Sequence, residues 1–557
     1  MKMKFLLIFF FTISIISAQV ENVELEHDIY KYLKEMKVKG VIGSIHDNLP
    51  NMSRLEILNF LNEIDSKKDA LSETETKLLR KYLIEFNPNL QTADNTAQFV
   101  GGSDTYDTGL DLFFSDKLKY FYSYQDKNIN FYFNLLGNFN HGQQFDPIMN
   151  NSEIYDIGFR GRGTIFGKLG YMLKVVKGGV SGSIDEAPNY DPRLNYNFKF
   201  NEGIENIRNY DFAEGYLRYY DEPTENMNYS FQIGREKVRF GYGYSNSLVL
   251  TGDHAYIDFI RIGFSYGVFR FTSFHGSTVG DFSEVRDSNY TKYIAANVFT
   301  LSIPKFIDFS LGEQIIYSGR GLDLAYLNPF SFYKFTEMSL QDRDNGILYL
   351  DLQTHFLRNF EIQGTFYLDE DILSNLQDMS RFSNKTAYQL GFIWYSPFDF
   401  SDFSFSAEFT KIRPYVYSHT NLKNAVTAYG GNLGHRIGPN AEELMARITY
   451  NFSDRLRFEL EYTNTRSGEN VVDSSGDLIK NVGGDSKVPH RMDIDSNEAY
   501  FLDGIKINKS NFKLLVRYEP LRNIIFDFIA NYSNQNNISY DRSNDLTYGM
   551  VKMYLQF

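Results

Sequence analysis

The 557-residue chain contains no cysteine. That excludes disulfides, thiolate metal sites, a catalytic Cys and lipid attachment at a mature N-terminal Cys. The chain also lacks any apolar run of about 18 residues, the length a membrane-crossing helix needs. Its nearest approach is Phe5 to Ile16, preceded by Lys2 and Lys4 and followed by small residues ending at Ala18. This run is too short to span ~30 Å of hydrocarbon. It reads as a signal peptide cleaved before Gln19. A basic excess is missing too: the formal charge is −14, and −16 without Lys2 and Lys4. A nucleic-acid partner is therefore not expected, because nothing is available to displace condensed counterions. Neutral or cation-bridged ligands fit better.

Aromatic residues are abundant. Forty-one Tyr, 50 Phe and one Trp make 17 % of the chain, yet mean hydropathy is −0.36. A soluble core this rich in Phe would make the chain apolar on average. A transmembrane β-barrel needs only half of each strand apolar, keeps a polar lumen and gathers aromatics at both interfaces. That combination gives high aromaticity with negative hydropathy.

The first part of the mature chain is helical. Leu25, Ile29, Leu33 and Met36 form one stripe, and Gly40 stops it. Ser53 with Glu56 and Ser72 with Glu75 are capping boxes ahead of two further apolar stripes. The expected organisation is a signal peptide (1–18), a helical bundle (19–90), a linker (91–104) and a barrel (105–557). A bundle this small buries little surface and should lean on the barrel.

After residue 104 the period becomes two. The clearest strand is Arg455 to Thr463, with Leu456, Phe458, Leu460 and Tyr462 on one face and Arg455, Arg457, Glu459 and Glu461 on the other. An Arg facing lipid near the midplane costs about 2–4 kcal/mol, so the charged face must line a wet lumen. Ile129–Leu135, Phe403–Phe409 and Leu348–Gln353 alternate in the same way. The chain ends on Val551, Met553, Leu555 and Phe557, and a strand finishing in a terminal Phe resembles the signal read by the barrel-insertion machinery. The fold class expected is mainly β: a large antiparallel transmembrane barrel of roughly 16–20 strands with a small N-terminal helical bundle. Gly468–Asn497, rich in Asp, Ser and Gly, reads as an extracellular loop.

Catalytic signatures are sparse. The nine histidines form no HExxH or other close zinc pair, so no metal or cofactor is expected. Asp369-Glu370-Asp371 and Glu442-Glu443 read as solvated strand ends, with a calcium ion as the alternative, and Asp342 to Gly346, which lacks the EF-hand spacing and distal Glu, reads as a hairpin turn. Gly241-Tyr242-Gly243 is not followed by a helical pattern, which removes dinucleotide binding. No Ser sits in a GxSxG elbow.

What remains is a binding constellation. Arg235, Lys237 and Arg239 alternate before Tyr242 and Asn246. The irregular stretch Glu313 to Asp351 adds Glu313, Tyr317, Arg320, Asp323, Tyr326, Asn328 and Tyr333. Aromatic faces can stack on a pyranose while Arg, Asp, Glu and Asn bond its hydroxyls. The alternative is that the tyrosines belong to an interfacial girdle and the charges to lumen ladders.

RFGYGYSNSLVLTGDHAYID (239–258), GEQIIYSGRGLDLAYLNPFSFYKF (312–335) and FYLDED (366–371) resemble the Wzi capsule-assembly family, in its Bacteroidetes-type form. So do the helical stretches 28–42, 53–64 and 71–86. The resemblance implies a large monomeric outer-membrane barrel with a periplasmic helical bundle near its mouth. It also implies a non-catalytic, lectin-like role in attaching capsular or other surface polysaccharide to the outer membrane. The alternatives are a porin or transporter and, behind it, an outer-membrane lipase or protease.

Overall fold

The structure is a computed structural model that describes residues 19–101, 105–197, 200, 208–280, 289–369 and 380–557. The signal-peptide reading and part of FYLDED lie outside the described residues. Among those described, eighteen antiparallel strands close a barrel, from β1 (Ile129–Asp146) to β18 (Arg542–Gln556) in chain order. Each strand pairs with its sequence neighbour. Closure comes from β18 on β1, in register from Gln556 against Leu136 to Thr547 against Asp146. Phe557 completes the seam by exchanging backbone hydrogen bonds with Leu135. Its ring is buried 4.3 Å from that of Phe113.

The strand predicted from Arg455 is β15 (Leu456–Glu469), and its two faces divide as charge demanded. Leu460 is half-exposed on the outside, while Arg457 and Glu459 turn inward to ion pairs with the bundle. Phe299, Leu301, Phe309 and Leu311 continue the exposed outer face on β8 (Thr291–Ile303) and β9 (Ile307–Ser318). The two ends of the barrel differ. Connections such as 166–168, 267–268 and 522–523 are tight, whereas 237–256, 319–344, 413–440 and 470–504 are long and all lie at the opposite end. Short turns mark the periplasmic side of such barrels and long loops the extracellular side. Phe166, Phe306, Phe356, Phe398 and Phe452 stand exposed in the tight turns, an aromatic girdle at that interface.

Three helices, α1 (Ile29–Val38), α2 (Arg54–Asp65) and α3 (Glu73–Phe86), fill the short-turn end. Both capping boxes form, with Ser53 and Ser72 accepting from Glu56 N and Glu75 N while each Glu side chain accepts from its cap's backbone N–H. Gly40, at φ +75°, turns the chain after α1. Ile29, Leu33, Met36, Ile57, Leu61, Ile64, Leu79 and Phe86 make the bundle core. The stretch read as a linker has structure: Thr96–Gln98 pairs in parallel with Asp107–Thr108 and Leu118–Tyr120. Period-two reading misses a strand of three residues.

Candidate polysaccharide site and the closed lumen

The bundle is an electrostatic stopper. Asp28 faces Arg457 at 3.1 Å and Arg517 at 2.6 Å, and Lys31 faces Glu459 at 2.8 Å. Lys37 lies between Asp47 (3.2 Å) and Glu361 (3.0 Å), and Lys237 reaches Glu26 (2.8 Å). Ahead of the helices, Glu21 accepts from Arg162 (2.5 Å) and Thr164 (2.7 Å) on the inner wall. Lumen charges thus meet opposite charges on the bundle. Burial alone would raise the Asp28 carboxyl, but Arg457 and Arg517 hold it well below the usual carboxylate range. Burial likewise opposes the charge on Lys37, and Asp47 and Glu361 more than offset it, so its ammonium is raised.

From the other end two loops fold into the barrel. In 237–256, Val238, Phe240, Leu248, Val249 and Leu250 pack on Phe259, Phe274, Ile294 and Ile316 of the inner wall and on Leu49 of the bundle. In 413–440, Tyr417 donates to Leu248 O at 2.8 Å and accepts from His435 N at 3.1 Å. Thr251 N bonds Leu433 O. Helices from below and loops from above therefore fill the bore.

Two cavities flank this plug. One, of about 440 Å³, lies between bundle and wall and includes Asp28, Lys31, Arg239, Tyr242, Arg447 and Arg457. The other, of about 340 Å³, lies on the loop side, lined by Tyr196, Asn246, Thr251, Asp253, Asn432, Arg436, Asp485, Ser486 and Lys487. Thr251 and Asp253 border both. In the loop-side cleft, Asn246 Nδ2 donates to Asp253 at 2.9 Å while its buried carbonyl oxygen has no protein partner. Ser486 donates to Asn432 at 2.7 Å. Tyr196 supplies a ring, and the Lys487 ammonium reaches over Gly430. Arg436 is tied to Glu443 through two bonds of 2.7 and 2.6 Å. The cleft offers a stacking face, the exposed Asp253 carboxylate and the Lys487 cation, with the unpartnered Asn246 oxygen buried beside them, the chemistry of a hydroxylated ligand.

The sequence-predicted residues do not converge on one place. Arg239, Tyr242 and Asn246 lie in the inward loop, the first two on the bundle-side cavity and Asn246 on the cleft. Arg235 ends its strand, Met227–Glu236, on the outer wall, ion-paired with Asp258 at 2.8 Å. The alternation of Arg235, Lys237 and Arg239 along one strand stops there, because the chain turns into the lumen after Glu236.

Glu313 and Tyr317 are also on the outer wall, on the same face as Phe309 and Leu311, and segment 319–344 folds over them. Tyr333 N and Asn297 Nδ2 donate to the Glu313 carboxylate at 2.8 and 3.2 Å. Arg320 grips Asp344 with two bonds of 2.8 and 2.6 Å, bonds Asp323 at 3.1 Å and lies over the Tyr317 ring. Tyr326 donates to Asp344 at 2.8 Å, and Tyr333 to Tyr326 O at 2.8 Å. Asn328, exposed, caps its own turn by accepting from Phe330 N. These groups are committed to one another. Asp344 is an anchor and not part of a hairpin turn, since Asn345 already begins β10 (Asn345–Thr354).

Sequence reading missed Tyr196, Asp253, Asn432, Ser486 and Lys487. Asp253 stands within the quoted 239–258 stretch, and the glycines of 430–434 mark a close backbone approach. Tyr196, Ser486 and Lys487 come from other loops and carry no local signal. Among the described residues no three His, Asp or Glu gather as a metal site.

Residues 139–507, two thirds of the chain, match the family described as capsule assembly protein Wzi. The chain belongs to that family. A sequence search of curated proteins finds no match. Among solved structures, the Escherichia coli Wzi, described as an outer-membrane protein involved in group 1 capsule assembly and a carbohydrate-binding β-barrel, is 13 % identical. It aligns over 97 % of this chain and 99 % of its own, with a TM-score of 0.56, and the fold is shared. Pseudomonas aeruginosa OccD3 (11 % identity, 77 % and 91 % coverage) and OprD (10 %, 77 % and 95 %) align at TM-scores of 0.43 and 0.40. This Wzi-family barrel is an outer-membrane protein with a polysaccharide-related role.

Proposed function

We propose that this barrel holds capsular or other surface polysaccharide at the cell surface as a non-catalytic, lectin-like anchor. One observation carries the reading: the extracellular face of a stoppered lumen holds a polar cleft with an unpaired buried acceptor, Asn246 Oδ1, beside Asp253, Tyr196 and Lys487. A ligand there donates hydroxyls to Asn246 and Asp253 and stacks on Tyr196. Arg239 and Tyr242 shape the loop from beneath, and in the outer-wall set from Glu313 to Tyr333 the charged groups and tyrosines are bonded to one another, with only Asn328 exposed. The protein works as a monomer in the lipid of the outer membrane. The insertion machinery reads Phe557 before closure buries it.

Deleting the gene should release polysaccharide into the medium. Asp253→Ala with Lys487→Ala should do the same while the folded, membrane-inserted protein stays at wild-type level. Cell-bound polysaccharide unchanged by the double variant would refute the cleft, and unchanged by the deletion would refute the role.

A further inference from the structure

Segment 319–344 presents an apolar outer surface. Phe330 is 92 % exposed, Leu324 76 % and Phe335 70 %, with Met338 beside them on the short helix Tyr333–Ser339. Its inner surface covers the polar pair Asn297 and Glu313, which face outward from β8 and β9. Glu313 is seven residues along β9 from Phe306 of the lower girdle. At about 3.4 Å per residue and a tilt near 40°, that is roughly 18 Å above the girdle, inside an apolar band about 25 Å tall. Without a cover the carboxylate would look into hydrocarbon, where an unpaired polar group is strongly disfavoured.

We infer that 319–344 is a membrane-seated collar: a flap that satisfies Glu313 and Asn297 on its inner side and inserts Leu324, Phe330, Phe335 and Met338 into the lipid of the outer leaflet. Its apolar face continues the lipid-facing row of Phe299, Leu301, Phe309 and Leu311. The occupant is thus the same lipid that surrounds the barrel. The hydrogen-bonded knot at Arg320, Tyr326, Tyr333 and Asp344 keeps the flap against the wall.

The single tryptophan, Trp394, permits a direct test. Full-length Trp394→Phe/Phe330→Trp and Trp394→Phe/Phe335→Trp chains are reconstituted in phosphatidylcholine vesicles with and without bromine on the acyl chains. Both sites are exposed, so the substitutions leave the packing intact. Brominated lipid is expected to quench the new tryptophans strongly, and aqueous iodide to quench them little. Emission indifferent to brominated lipid and fully open to iodide would overturn the collar, including the case in which a protein partner covers this face.

Discussion

Arg320 illustrates how a residue can look like a ligand contact and serve as a fastener. Its guanidinium holds Asp344, whose side chain is 1 % exposed, and Asp323. Arg320→Ala strands a buried carboxylate and the Tyr326 hydroxyl bonded to it, a loss of about 2–4 kcal/mol in flap docking. Limited proteolysis should cut the variant within 319–344 at a much lower protease dose, with the barrel intact. Sequence had shown that these residue types crowd together. It could not show that they satisfy each other, because hydrogen-bond partners depend on how 319–344 is laid on the wall.

Glu35 makes a pH prediction at the same scale. Burial raises its carboxyl to about 7, with Lys39 opposing and the nearby Glu75 adding to the rise. An acid whose folded pKa is raised binds more protons folded than unfolded, so stability falls as pH climbs from about 4.5 to about 7. Glu35→Gln should therefore stabilise the bundle by on the order of 1–3 kcal/mol at pH 8 and give no gain at pH 4, measured by thermal unfolding at the two pH values.

Among the elements, the helices were the most legible. Ser-x-x-Glu twice, with apolar residues at helical spacing, specified where α2 and α3 begin, because a capping box is a local device. Where the helices sit was not local. Nothing in the sequence marks Lys31, Asp28 and Lys37 as the counter-charges of Glu459, Arg457 and Glu361. Docking then depends on acid in a definite direction. Asp28 is held below its ordinary range, so its contribution is complete above about pH 4 and is lost as pH falls through the depressed value. Protease protection of 19–90 should persist at pH 5 and fail in stronger acid. Asp28→Ala should cost about 1–3 kcal/mol of docking, softened because Arg457 keeps Glu459 and Arg517 keeps Asp527.

For the whole molecule, the anchor and porin readings part at the bore. The inward loops 237–256 and 413–440 and the bundle fill the lumen. Full-length protein in planar bilayers should show no steady conductance, and a chain lacking 19–90 should show more current than wild type. Steady open-channel current from the intact chain would favour the transport reading instead.

By itself the sequence determined the barrel, its inside and its outside, and the bundle's helices. Alternation of period two and the cost of charge in lipid leave no other arrangement for strands such as β15. The pairing of the last strand with the first, sealed at Phe557 and Leu135, belongs to the tertiary structure. Only the tertiary structure decided which long connections dip into the lumen and which fold over the outer wall, since both kinds are irregular, aromatic and charged. The difference lies in the partners: segment 237–256 finds an apolar inner wall at Phe259 and Phe274, while 319–344 finds a carboxylate facing lipid at Glu313. Those partners are strands distant in sequence, and only barrel closure brings them into reach.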